Sequence, residues 1–121
     1  EALTMIDMAK KQYIPAVMKY TRDLADTIIA VKQAGADVSV QSELLKEVSE
    51  KLVQAQKALK KLETVSAEAS AMEDVKGQAF FYHGTVMTAM EDLRTPIDQL
   101  ETMVDKEVWP VPTYADLMFE V

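Results

Sequence analysis

The sequence predicts an all-α fold: an elongated, antiparallel up-down-up three-helix bundle with a Pro-rich, non-helical carboxyl-terminal tail. Three observations predict it. Apolar residues recur at steps of three and four along three successive stretches. Only 3 Gly and 4 Pro occur in 121 residues, too few for a loop-rich or many-turned β fold. Pro110 and Pro112 then stand together just before an apolar chain end, where no helix can continue. The expected organisation is a bundle over 1–105, with helices at about 2–34, 40–71 and 73–105, and a docking tail over 106–121.

In the first helix, Ile6, Ala9, Tyr13, Val17, Tyr20, Leu24, Ile28 and Val31 form one apolar stripe, and Lys10, Lys19, Arg22 and Asp23 fall off it. Pro15 lies inside the pattern. It removes one backbone donor and is expected to kink the helix, because the stripe continues through it. Thr4 and Asp7 have capping-box spacing, although the helix could equally have begun upstream of Glu1. Gly35 in Ala34-Gly35-Ala36-Asp37 is the natural left-handed residue to close the helix, and Asp37 or Ser39 can cap the next one. Tyr13 and Tyr20 read as core residues with their hydroxyls at its edge.

The second stripe, Leu45, Val48, Leu52, Ala55, Leu59, Leu62 and Ala69, follows a heptad seam. Its outer face carries Glu47, Glu50, Lys51, Lys57, Lys60 and Lys61, with Glu47 and Lys51 at pairing distance in sequence. Small residues dominate from Val65 to Ala71 and either allow close helix approach or mark a weak end. A third helix is expected to start near Glu73-Asp74, where acids suit the positive end of the helix dipole. Its stripe is Val75, Ala79, Tyr82, Val86, Ala89, Leu93, Ile97, Leu100 and Val104. Gly77, Gly84 and Pro96 weaken it locally, and Thr95-Pro96 could open a separate short helix, but the stripe keeps phase across Pro96 and favours one kinked helix. Each helix would hold about 30 residues and run roughly 45 Å. A two-helix coil with a separate third helix is the alternative packing. The seams alone bury too little, so Met18, Ile29, Phe80, Met87 and Met90 are expected to bury as well.

Composition bounds the function. Lys and Arg number 13 and Asp and Glu 20, so the formal charge is 13 − 20 = −7, a poor match to nucleic acid, which requires clustered cations. Apolar residues at 49% exceed what a disordered chain carries, yet no apolar run approaches the roughly 20 residues of a membrane span. The absence of cysteine excludes disulfides and thiolate chemistry. No signal peptide is read, and a chain that opens on Glu1 is open to being a piece of something longer.

Chemistry is equally bounded. The lone histidine, His83, has Phe80 three residues before it, so no Glu-x-x-His pair for a di-iron bundle exists. His83 reads as a surface or boundary imidazole. There is no phosphate-binding Gly loop, nucleophile elbow or triad. The acids Glu73-Asp74, Glu91-Asp92, Asp98 and Glu101 read as solvated faces, and Arg94 has ion-pair spacing to Glu91 and Asp98. The 8 Met read as core filling. No catalytic, cofactor or metal residue is assigned. The tail is the informative segment, because Trp109, Tyr114, Leu117 and Phe119 would not usually stand free in water together.

The run Glu107-Val108-Trp109-Pro110-Val111-Pro112-Thr113-Tyr114-Ala115-Asp116-Leu117-Met118-Phe119 resembles the carboxyl end of type III glutamine synthetases, which typically reads Trp-Pro-x-Pro-Thr-Tyr-x-Asp-Leu-Leu-Phe. Three further segments agree. Gln12-Tyr13-Ile14-Pro15-Ala16 with Tyr20 resembles the family's Ile-x-Pro-Ala segment, and Asp37-Val38-Ser39 resembles its first inter-helix turn. Met90-Glu91-Asp92-Leu93-Arg94, with Asp98 and Leu100-Glu101, resembles its Met-x-x-Leu-Arg…Asp-x-Leu-Glu run. Pro96 departs from a run expected to be continuous helix in the family.

The resemblance implies a parent enzyme that joins ammonia to glutamate with ATP and a divalent metal such as Mg, through a γ-glutamyl phosphate. It implies a long cytoplasmic chain assembled in stacked hexameric rings, with the metal and phosphate ligands upstream of this segment. The partners implied are the catalytic body of the same chain and neighbouring subunits, with neither nucleic acid nor membrane. Trp109, Tyr114, Leu117 and Phe119 are then the expected anchors of a helical strut. The alternative is a free-standing helical binding or adaptor module whose apolar tail fills its own groove or captures a partner helix.

Overall fold

The computed structural model describes residues 1–110. Three helical rods follow one another, and no strand occurs among the described residues. The first rod consists of α1 (Ala2–Met8), a π-helical turn (Ala9–Tyr13) and α2 (Ile14–Gln33). The second is a single helix, α3 (Ser39–Ala71). The third comprises α4 (Val75–Phe81), a second π-helical turn (Tyr82–Val86) and α5 (Met87–Met103).

The connections are short, so consecutive rods reverse direction. Lys10 Nζ near the start of the first rod lies 3.0 Å from Glu63 Oε2 near the end of the second. Gln78 Nε2 near the start of the third donates to the Ala69 carbonyl at 2.8 Å. α3 is the central rod. It packs along α5, and its other flank takes α1 and α2. The third rod therefore belongs to the bundle and is not a separate helix beside a two-helix coil.

The sharp turn after α2 follows from Gly35, whose φ of 87° suits a residue without a Cβ. The Ala36 N–H reaches the Val31 carbonyl and the Gly35 N–H the Lys32 carbonyl, which closes two carbonyls that the helix end leaves open. Asp37 then accepts from the Ser39 N–H and from the Ser39 hydroxyl, and these bonds lower its pKa. Asp74 caps α4, accepting from the Gly77 N–H at 3.1 Å.

The prolines act differently. Pro15 cannot donate to the Lys11 carbonyl, and the turn before it widens so that the Ile14 N–H reaches the Ala9 carbonyl five residues back. Pro96 is buried inside α5, which continues through it to Met103.

The core runs along the three seams. Val17, Val48, Leu59, Leu62, Val86, Leu93 and Leu100 are its largest fully buried side chains. Val65, Ser66 and Ala69 are also buried, so the small-residue stretch allows close approach and does not fray. Several expectations need correcting. Thr4 and Asp7 form no capping box; Asp7 instead pairs with Lys11 at 2.9 Å. Glu47 and Lys51 do not pair. Of the five residues expected to complete the core, only Met90 is buried; Met18, Ile29, Phe80 and Met87 are exposed. Val75 and Ala79 also face water, because α4 leans on the core only through its other face, where Phe81 is partly buried. At the other end, α5 stops while α2 and α3 continue, so Leu24, Ile28 and Val31 are only half-buried in a two-helix layer.

Candidate interaction site

The chain reverses just after α5. Val104 leaves the helix with extended backbone. The Asp105 side chain accepts from the Glu107 N–H at 2.9 Å, and the Asp105 carbonyl accepts from the Val108 N–H at 2.9 Å and the Trp109 N–H at 3.2 Å. An aspartate that bonds its own backbone two residues on is a turn former, so this reversal is encoded locally.

The reversal seats Trp109 on the first rod. Its ring centroid lies 5.2 Å from that of Tyr13, with the planes tilted by 35°. Such offset aromatic pairs contribute about 0.5–1.5 kcal/mol beyond the area they bury. Trp109 is 6% exposed, and its indole N–H finds no hydrogen-bond partner among the described residues. Gln99 Oε1 is likewise buried without a partner. Of the four expected anchors, the structure thus places Trp109 within its own bundle. Tyr114, Leu117 and Phe119 lie outside the described residues.

Tyr13 is the receiving residue, and the sequence marked it only as core. It ends the π-helical turn that precedes Pro15. Burial raises its hydroxyl pKa, and the nearby carboxylates of Glu101 and Asp98 raise it further. Tyr20, two seam steps on, has its hydroxyl pKa raised by burial and then by Asp105. Beyond Tyr13, between the first and third rods, lies a small hollow bordered by Met5, Met8, Leu93 and Ile97. Arg94 stands at its rim and pairs with Glu91, Nη1 to Oε1 at 2.9 Å, so the structure selects Glu91 and not Asp98 from the two partners the spacing offered.

His83 is exposed on the second π-helical turn. Among the described residues, no group of three or more His, Asp or Glu side chains is gathered to hold a metal ion, and no helix is long and apolar enough to cross a membrane. What the site offers is an apolar seat with charged edges, suited to holding a segment of chain.

No protein-family model matches the chain. It is 27% identical over 125 residues to a glutamine synthetase of Bacteroides fragilis, covering 98% of this chain and 17% of that protein. It is 28% identical over 123 residues to a glutamine synthetase of Butyrivibrio fibrisolvens, covering 100% of this chain and 18% of that protein. A type-3 glutamine synthetase of Dictyostelium discoideum is 23% identical over 125 residues, 98% of this chain and 17% of that protein. The chain therefore spans less than a fifth of the length of these curated relatives. From one end to the other, it is similar to a limited stretch of proteins named glutamine synthetase.

Proposed function

We propose that this chain is the carboxyl-terminal helical domain of a cytoplasmic type III glutamine synthetase and serves as a structural and interaction element. One observation carries the reading: similarity runs over 98–100% of the chain yet occupies only 17–18% of each relative. The rods form a strut that supports subunit architecture. Trp109, Tyr114, Leu117 and Phe119 hold that strut in place. Its partners are the catalytic body of the parent chain and neighbouring subunits of a stacked hexameric-ring assembly. ATP and Mg belong to the parent, and none of their ligands is assigned to residues of this chain.

The purified 121-residue chain is expected to melt cooperatively as a helical protein and to form no glutamine from glutamate, ATP and ammonia. In the full-length parent, Trp109→Ala with Phe119→Ala is expected to weaken ring assembly on sizing chromatography. Glutamine formation by the isolated chain would overturn the proposal, as would a reading frame that encodes this bundle alone. Unchanged ring assembly in the double variant would remove the anchoring role.

A further inference from the structure

The hollow between the first and third rods has walls and a rim of different chemistry. Its walls are Met5, Met8 and Tyr13 from the first rod and Leu93 and Ile97 from α5, around a space of about 160 Å³. Leu93 and Ile97 are buried and belong to the core, whereas Met5, Met8 and Tyr13 are half-buried, so the space is open to water. Trp109 packs against Tyr13, with ring centroids 5.2 Å apart, and steadies that wall.

The rim carries two opposite charges. Arg94 and Asp98, both exposed, border the hollow. They stand one turn apart on α5, which sets their Cβ atoms about 5–6 Å from each other. They do not pair: Arg94 engages Glu91 through Nη1 at 2.9 Å and keeps further guanidinium donors. Asp98 takes part in no ion pair among the described residues. Its charge acts at the Tyr13 hydroxyl, so it faces the first rod across the hollow.

We propose that this hollow binds a free aromatic α-amino acid of the phenylalanine class. The ring enters the apolar space, the carboxylate accepts from the Arg94 guanidinium, and the ammonium donates to the Asp98 carboxylate. Size fits, since a cavity of about 150 Å³ accepts one benzene-sized ring. The walls fit too: Met5 and Met8 supply adaptable thioethers that pack against an aromatic edge, and Tyr13 offers a ring for an offset pair. Charge favours a zwitterion over either ion alone. A lone carboxylate would meet Asp98 as a like charge, and a lone amine would meet Arg94 in the same way. An α-amino acid carries both groups on one carbon and sets each against its opposite. Ion pairs at exposed side chains contribute little energy, so burial of the ring supplies most of the affinity and the two charges supply the selectivity. The inference stands on the hollow and its rim and does not depend on the ligase relation.

The full 121-residue chain is titrated with L-phenylalanine and followed by NMR chemical shifts. L-phenylalaninamide lacks the carboxylate, N-acetyl-L-phenylalanine lacks the ammonium, and L-alanine lacks the ring. L-phenylalanine is expected to saturate with a Kd of roughly 1 mM, the range for so small a ligand in an open hollow. Each analogue is expected to bind at least about fivefold more weakly. Arg94→Gln and Asp98→Asn change exposed side chains, and circular dichroism checks that both variants fold. Arg94→Gln is expected to weaken L-phenylalanine about fivefold while leaving L-phenylalaninamide no weaker. Asp98→Asn is expected to weaken L-phenylalanine by a similar factor while leaving N-acetyl-L-phenylalanine no weaker. A titration that shows no saturation up to about 10 mM would overturn the proposal. So would an analogue that binds as tightly as L-phenylalanine, or a folded variant whose affinity for L-phenylalanine is unchanged. Glutamine formation and ring sizing decide the parent's identity separately.

Discussion

The indole of Trp109 ties the chain end to the bundle, because it is large, buried and stacked on Tyr13. Trp109→Ala is expected to lower the unfolding free energy by about 3 kcal/mol in urea titrations. Trp109→Phe is expected to lose no more than about 1.5 kcal/mol, since it also removes a buried N–H that has no partner among the described residues. An alanine variant as stable as the parent sequence would mean that the ring is not seated. Tyr13 adds a pH dependence. Its folded pKa is raised, first by burial and then by Glu101 and Asp98, so the neutral phenol is the form the fold favours. That contribution is complete below the unfolded value of about 10 and is lost as pH rises through the higher folded value. Stability measured across this alkaline window is expected to fall more steeply for the unmodified chain than for Tyr13→Phe; parallel curves would sink the assignment. The aromatic character of both residues was legible in the sequence. Their pairing was not, because it depends on a turn at Asp105 that folds the chain back across another rod.

Element ends were legible where a residue type has one conformational use. Gly35 closes α2 with positive φ, and open space surrounds the position of its missing Cβ. Gly35→Ala is therefore expected to cost about 1–2 kcal/mol from backbone strain alone, measured as a lower urea midpoint. A variant as stable as the parent sequence would show that the left-handed turn is dispensable. Asp74 caps α4 for an equally local reason. The π-helical turns were only half legible. Pro15 announced a disturbance, and the helix meets the missing donor by widening the turn before it, a local form the sequence did not specify. The turn at Tyr82–Val86 has no proline to announce it, and there the Met87 N–H reaches the Tyr82 carbonyl.

Stability is uneven along the described bundle because α3 packs most extensively against both other rods. Leu62→Ala, at its fully buried seam, is expected to cost about 2–5 kcal/mol. Phe80→Ser is expected to stay within about 0.5 kcal/mol, because that ring is 84% exposed on the outer face of α4. Comparable losses in thermal or urea melts would contradict this division between core and overhang. The three apolar stripes located the rods and most of the core. They failed for Met18, Ile29, Phe80 and Met87, because periodicity identifies an apolar face without saying whether a neighbouring rod extends far enough to cover it.

The order and kind of the helices, the left-handed turn at Gly35 and the acidic cap at Asp74 were written into the sequence, since each follows from side chains acting within a few residues of themselves. The central place of α3, the exposure of Val75, Ala79 and Phe80 on α4, the two-helix layer at Leu24, Ile28 and Val31, and the seat of Trp109 on Tyr13 were decided only in three dimensions. These features depend on where one rod stops against another, and that relation between distant segments leaves no periodic trace along the chain.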